Sequence, residues 1–224
     1  MKILIVDDEE DILDLLEYNL EQEGYEVVRA IDGHAAIREA QKEKPDMVLL
    51  DIMMPNLDGI ETCRRLRALP SMQQSYIVFL TARGEEYSEM AGFDVGADDY
   101  ITKPIKPRVL MKRIQAILRR TSLLEAPQVL TVLDLEINRD EYLVKQSGEV
   151  ITFPRKEFEL LSFMAASPGK VFTRATLLEK VWGDVFVVDR TVDVHIRKLR
   201  EKLGVNYIQT VKGVGYKFAS SLSA

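Results

Sequence analysis

Residues 46–52 read DMVLLDI, a short apolar run that ends abruptly in Asp51. A run of this length bounded by polar residues fits a strand buried on both faces, as in a parallel sheet. Similar runs lie on either side: KILIVD (2–7) and YEVVRA (25–30) before it, YIVFLTA (76–82) and DYITKP (99–104) after it. Between and after these five strand candidates lie EDILDLLEYNLEQEG (10–24), DGHAAIREAQKEK (32–44), LDGIETCRRLRAL (57–69), EEYSEMAGFDVG (85–96) and PRVLMKRIQAILRR (107–120). All have apolar residues at i, i+3 and i+4, the helical spacing. The order (βα)₅ predicts an α/β fold: a doubly wound, five-stranded parallel sheet with helices on both faces.

Ligands of such sheets bind outside the carboxyl ends of the strands. The first strand ends in Asp7 and Asp8, the third in Asp51, the fourth in Thr81 and the fifth in Lys103. Clustered carboxylates repel one another unless a cation neutralises them, and oxygen donors without imidazole or thiolate suit Mg²⁺. A carboxylate so activated is a nucleophile toward phosphorus. Lys103 can pair with the phosphoryl oxygens and Thr81 can donate a hydrogen bond to them. Taken singly, a DD after a strand reads as a solvated strand end or helix cap, and a KP as a turn. The conjunction carries the reading.

The 224 residues suit two domains. Residues 1–120 carry 16 Lys+Arg against 23 Asp+Glu, a net of −7; the remainder carry 14 against 13, a net of +1, matching the formal −6 of the chain. Cys63 is the one cysteine, so no internal disulfide can form, and with only His34 and His195 a Cys/His metal cluster is excluded. No run approaches a membrane span, and the N-terminus turns acidic after one short apolar stretch, unlike a secretory signal. A soluble, cytoplasmic protein is expected.

The segments IVDDEED (5–11), LLDIMMPNLDG (49–59), LTA (80–82) and GADDYITKP (96–104) together resemble the motif set of bacterial response-regulator receiver domains, over about residues 1–120. That resemblance implies Asp51 as phospho-acceptor, and Mg²⁺ bound by Asp8, Asp51 and the Met53 carbonyl with help from Asp7. It further implies Thr81 and Tyr100 as a switch pair, Lys103 as the phosphate-pairing lysine, and a cis Lys103-Pro104 bond.

A polar stretch, TSLLEAPQ (121–128), reads as a linker of about 25–30 Å at most. The second domain is expected over 129–220. It opens with short strand candidates in VLTVLDLEINRDEYLVKQSGEVITF (129–153). Three helices follow, RKEFELLSFMAAS (155–167), RATLLEKVW (174–182) and DRTVDVHIRKLREKLG (189–204), and then NYIQTVKGVGYKF (206–218), a β-hairpin. On the third helix Val192, Ile196, Leu199 and Leu203 form one stripe, while Arg190, Val194, Arg197 and Lys198 point away. Seven basic residues against two acidic between Arg190 and Lys217 suit a duplex, and Val194 among them suits contact with a thymine methyl or an idle surface position.

This half resembles the winged-helix output domain of OmpR/PhoB-type response regulators, an α+β fold, over about residues 125–220. The resemblance implies Arg190, His195, Arg197, Lys198 and Arg200 at the major groove and its phosphates, Thr210 on the backbone and Lys212 in the minor groove. Trp182 matches a phosphate-contacting position or a core one, and His195 lies at the edge of the packed stripe.

By the same resemblance the protein is a phosphorylation-dependent transcriptional regulator. Its implied partners are a sensor histidine kinase, promoter DNA and RNA polymerase. A receiver homodimer would form through the fourth helix, fifth strand and fifth helix, with Asp99–Arg113 and Asp98–Arg120 as ion pairs between subunits. Glu89, Val109 and Gln115 depart from the pattern, where a basic residue, a glutamate and a lysine are usual. Two rivals are an aspartate-nucleophile phosphatase, whose DxDx[TV] motif is absent, and a protein-binding module.

Overall fold

The structure, a computed structural model, describes residues 1–81, 95–119, 129–183 and 190–221; of 116–119 and 190 it describes the backbone only. The expected fourth receiver helix, the linker, Glu89 and Arg120 thus lie outside the described residues. The chain divides into two compact units, Met1–Leu118 and Arg119–Ala224.

The first unit is a five-stranded parallel sheet in the order β2-β1-β3-β4-β5. Its strands are β1 (Lys2–Val6), β2 (Glu26–Ala30), β3 (Met47–Asp51), β4 (Tyr76–Thr81) and β5 (Asp99–Thr102). Every residue of β3 and β4 is buried, which is why their sequences are unbroken apolar runs rather than alternating ones. The described helices are α1 (Glu10–Gln22), α2 (Gly33–Glu43), α3 (Gly59–Arg67) and α4 (Pro107–Arg119). Leu13, Leu16 and Leu20 of α1, one stripe at helical spacing, join Leu110 and Ile114 of α4 over Ile3, Ile5, Leu49 and Val78. Asp32 and Asp58 cap α2 and α3, accepting from the Ala35 and Glu61 amides at 2.7 and 2.8 Å. The chain crosses from one side of β1 to the other between β2 and β3, so the crevice at the carboxyl ends of β1 and β3 is the switch point of the sheet.

Asp98, just before β5, belongs to the framework. Its Oδ2 accepts from Arg67 Nη2 at 2.5 Å and from the Ile77 amide at 2.8 Å. Arg67 also donates to the carbonyls of Gly96 from Nε and of Met72 and Ser75 from Nη1. The carboxylate is thus buried and bonded within its own fold, while Arg120, its expected partner between subunits, lies outside the described residues. Asp99 is buried as well, accepting from the Tyr100 amide, while Arg113 donates to the Tyr100 carbonyl at 2.7 Å. Neither carboxylate is presented on the surface.

The second unit begins with an antiparallel sheet in the order β6-β7-β8-β9, comprising Val129–Val132, Leu135–Asn138, Leu143–Gln146 and Glu149–Ile151. Helix α5 (Arg155–Ala165) follows, then β10 (Val171–Thr173), the short α6 (Arg174–Leu177) running into a π-helical turn over Leu178–Trp182, and α7 (Arg190–Leu203). The hairpin β11 (Ile208–Val211) and β12 (Gly215–Phe218) pairs with β10 in the order β10-β12-β11. Strand β10 is absent from the sequence reading, since three residues offer too short a pattern and their structure comes from pairing with a distant strand. That pairing is tight: a Cβ on Gly215 would lie 2.0 Å from the Phe172 carbonyl oxygen.

Candidate phosphoryl-transfer site and nucleic-acid face

At the carboxyl end of the first sheet, carboxylate oxygens of Asp7, Asp8 and Asp51 lie within 4.8 Å of one another. They come from the ends of β1 and β3, neighbouring strands whose sequence positions are far apart. Lys103, just past β5, reaches across with Nζ 2.8 Å from Asp7 Oδ2, 3.1 Å from Asp51 Oδ1 and 3.8 Å from Glu9 Oε1. The Lys103-Pro104 bond preceding α4 is cis. Gly59 lets α3 close over the end of β3: a Cβ there would sit 2.1 Å from the Asp51 carbonyl oxygen.

Asp7 and Asp51 are buried, whereas Asp8 is exposed. Burial pushes the Asp51 carboxyl from its ordinary 3.8 up to about 6; Lys103 opposes the rise, and Asp7 and Asp8 add to it. Burial likewise works against the Lys103 charge, but its hydrogen bonds to Asp7 and Asp51 prevail and its pKa is raised. Three carboxylates facing one ammonium leave a surplus of negative charge in a confined space. Oxygen-only donors of this charge fit a hard divalent cation such as Mg²⁺. Met53, whose carbonyl was expected to complete that set, follows Asp51 by two residues and has an exposed side chain.

The two expected switch residues sit on adjacent strands, Thr81 buried at the end of β4 and Tyr100 in β5. Tyr100 is 6 % exposed, so its ring is packed inward in this structure. Val109 is 48 % exposed on α4, and Gln115 donates to Glu23 Oε2 at 2.9 Å.

In the second unit Val192, Ile196, Leu199 and Leu203 are buried as the helical stripe predicts. Arg197 is exposed and Lys198 half-buried, with Glu201 near both at 3.9 and 3.5 Å. Lys212 lies exposed in the β11–β12 turn, and Thr210 is exposed on β11. The side chain of Arg190 lies outside those described.

Four of these residues are held within the domain. His195 is 4 % exposed, its Nδ1 2.9 Å from the Thr191 carbonyl and its ring edge-on to Trp182 at 5.0 Å. It is a core histidine, because its place at the edge of the stripe turns it under the helix. Trp182 is likewise core, and Val194 is buried rather than left among the cations. Arg200 is engaged inside the domain, donating to the Ile208 carbonyl from Nε and Nη2 at 3.0 and 2.8 Å and to Thr210 Oγ1 at 2.8 Å. Charge alone could not separate Arg200 from Arg197; the position of β11 does.

The family model described as "Response regulator receiver domain" matches residues 3–115, and that described as "Transcriptional regulatory protein, C terminal" matches residues 148–218. The chain belongs to the OmpR/PhoB-type response regulators. This response regulator is 44 % identical to the alkaline phosphatase synthesis transcriptional regulatory protein PhoP of Bacillus subtilis (strain 168), covering 96 % of this chain and 95 % of that protein. It is 43 % identical to the phosphate regulon transcriptional regulatory protein PhoB of Rhizobium meliloti (strain 1021), covering 98 % and 99 %. Among solved structures, a single-site mutant of RitR is 30 % identical over 98 % of this chain and 99 % of that one, with a TM-score of 0.79. DrrB of Thermotoga maritima, an OmpR/PhoB homolog, is 35 % identical over 97 % and 98 %, with a TM-score of 0.51.

The second unit is therefore a winged-helix DNA-binding domain, with α7 at the position of the recognition helix and the β11–β12 hairpin as the wing. The protein is a phosphorylation-dependent transcriptional regulator of a two-component system, and not an enzyme in the ordinary sense. No helix among the described residues is long and apolar enough to cross a membrane.

Proposed function

We propose that Asp51 is the residue this regulator uses to receive its signal. The carrying observation is the convergence of Asp7, Asp8 and Asp51 within 4.8 Å, with Lys103 Nζ 3.1 Å from Asp51. A carboxylate oxygen of Asp51 attacks the phosphorus of a phosphohistidine on a sensor kinase. The P–N bond breaks and its electron pair returns to the imidazole. Lys103 is placed to follow the transferred oxygens, exchanging a carboxylate partner for a phosphoryl one, and Thr81 donates a hydrogen bond to the new group. Mg²⁺, held by Asp7, Asp8, Asp51 and the Met53 carbonyl, would neutralise the charge gathered there. Tyr100 then holds the packed-in position that accompanies the switched Thr81. The protein's own chemistry is limited to this Mg²⁺-dependent self-phosphorylation and slow loss of the phosphoryl group.

The reading continues to the output. Residues 1–120 act as receiver, 121–128 as linker and 129–220 as DNA reader. Phosphorylation favours a receiver homodimer through the face that carries Val109 and Arg113, and two readers then bind adjacent half-sites on promoter DNA by effective concentration. Arg190, Arg197 and Lys198 serve the major groove and its phosphates, and Lys212 the minor groove. RNA polymerase is the onward partner, in the cytoplasm. To test the first step, the protein is incubated with Mg²⁺ and acetyl phosphate and weighed intact. A single phosphoryl adduct is expected that Asp51→Asn abolishes, and an adduct surviving that substitution would refute the assignment.

A further inference from the structure

Arg200 and Asp193 stand seven residues apart on α7, two turns, and so lie along one side of the helix. Both reach the wing. Arg200 donates to Ile208 and Thr210 on β11, and its guanidinium lies 5.7 Å from the centre of the Tyr216 ring on β12. Asp193 Oδ1 accepts from the Tyr216 hydroxyl at 2.7 Å and from Arg174 Nε at 2.7 Å. Arg174, the first residue of α6, also donates to the Tyr216 hydroxyl at 3.2 Å and places its guanidinium 5.1 Å from the same ring. Tyr216 is buried, paired with Thr210 on one side and Phe172 on the other, and so belongs to the middle strand of the wing sheet.

The geometry points to Arg200 and Asp193 as positioning residues that fix the wing against the recognition helix, so that Lys212 is presented at a set distance from Arg197 and Lys198. A planar guanidinium suits Arg200's task, since it donates twice to one carbonyl and once to a hydroxyl while facing an aromatic ring; an ammonium supplies the charge but not the fork. The carboxylate of Asp193, a liability on a face meant for phosphates, is neutralised by Arg174 and put to use on Tyr216. The polar side of α7 thus divides into a line committed to the wing, Asp193 and Arg200, and a line turned toward DNA, Arg197 and Lys198.

This inference rests on the proposed contact of Lys212 with DNA, and a double-mutant cycle separates the two. The full chain is titrated onto a duplex that it enriches from a random-sequence pool, across a salt series, as wild type, Arg200→Ala, Arg200→Lys, Lys212→Ala and Arg200→Ala/Lys212→Ala. We expect Arg200→Ala and Lys212→Ala each to weaken binding about tenfold, the double variant to be scarcely weaker than either, and Arg200→Lys to fail to restore affinity. A direct phosphate contact by Arg200 would instead give additive losses, rescue by lysine and, in the Lys212→Ala background, a further flattening of the log K against log salt slope by about 0.9; that pattern overturns the inference. If Lys212→Ala alone changes nothing, the wing's contact with DNA fails. The strut is then judged without DNA: amide exchange across β11 must rise in Arg200→Ala, and unchanged exchange overturns it.

Discussion

The clearest physical consequence of the site concerns stability, and Asp51→Asn exposes it. Burial lifts the Asp51 carboxyl from 3.8 to about 6, so the folded state holds that proton more tightly than the unfolded chain does. Below pH 3.8 both states are protonated and the carboxylate costs nothing. As the pH rises, the unfolded chain ionises first, and above about 6 the folded receiver bears the full cost of a buried charge. At about 1.4 kcal/mol for each tenfold change in proton affinity, the cost approaches about 3 kcal/mol. Asparagine removes the charge and leaves Lys103 its bond to Asp7, so Asp51→Asn is expected to stabilise the receiver near neutral pH, by roughly 10 °C in Tm at most. The gap should shrink toward zero as the pH falls to about 4. Calorimetry of the full chain in chelator measures it. The sole tryptophan, Trp182, lies in the second unit, so tryptophan fluorescence identifies that domain's transition and leaves the other to the receiver. Added Mg²⁺ should narrow the gap by stabilising the wild type more than the variant, which lacks one carboxylate of the cluster. A difference between the two proteins that is independent of pH from about 4 to 8, or opposite in sign, would refute the argument.

Other expectations follow from single contacts. Asp98→Ala strands the buried Arg67 guanidinium and should destabilise the receiver by about 3–5 kcal/mol, read from the same calorimetric transition. Arg197→Ala should weaken DNA binding and flatten the salt slope by about 0.9, whereas His195→Ala should lower the melting temperature of the second unit and leave that slope unchanged. Gly59→Ala must displace backbone at the end of β3, so phosphorylation of Asp51 from acetyl phosphate should be slowed more than any loss of folded protein explains.

Most of the receiver is legible in one dimension because its rules are local. Strands β3 and β4 are buried on both faces and therefore unbroken runs, and Asp32 and Asp58 mark helix starts by bonding to amides three residues on. Even the site is legible, since strand ends in a parallel sheet all open onto one edge; Asp7, Asp51 and Lys103 needed only the order of elements to be placed together. Side chains at the same helical period are harder. Arg197 and Arg200 are both cations on the polar part of α7, and what separates them is the neighbouring strand β11, fixed by pairing with β12 and through it with β10.

The amino-acid sequence determined the two folds, the carboxylate cluster around Asp51 and the cationic character of α7, because hydrophobic period and strand order suffice for these. Tertiary structure alone decided which charges remain available. Asp98 is consumed by Arg67, His195 is folded under against Trp182, and Arg200 is bound to Ile208, in each case through a partner that no local pattern announces.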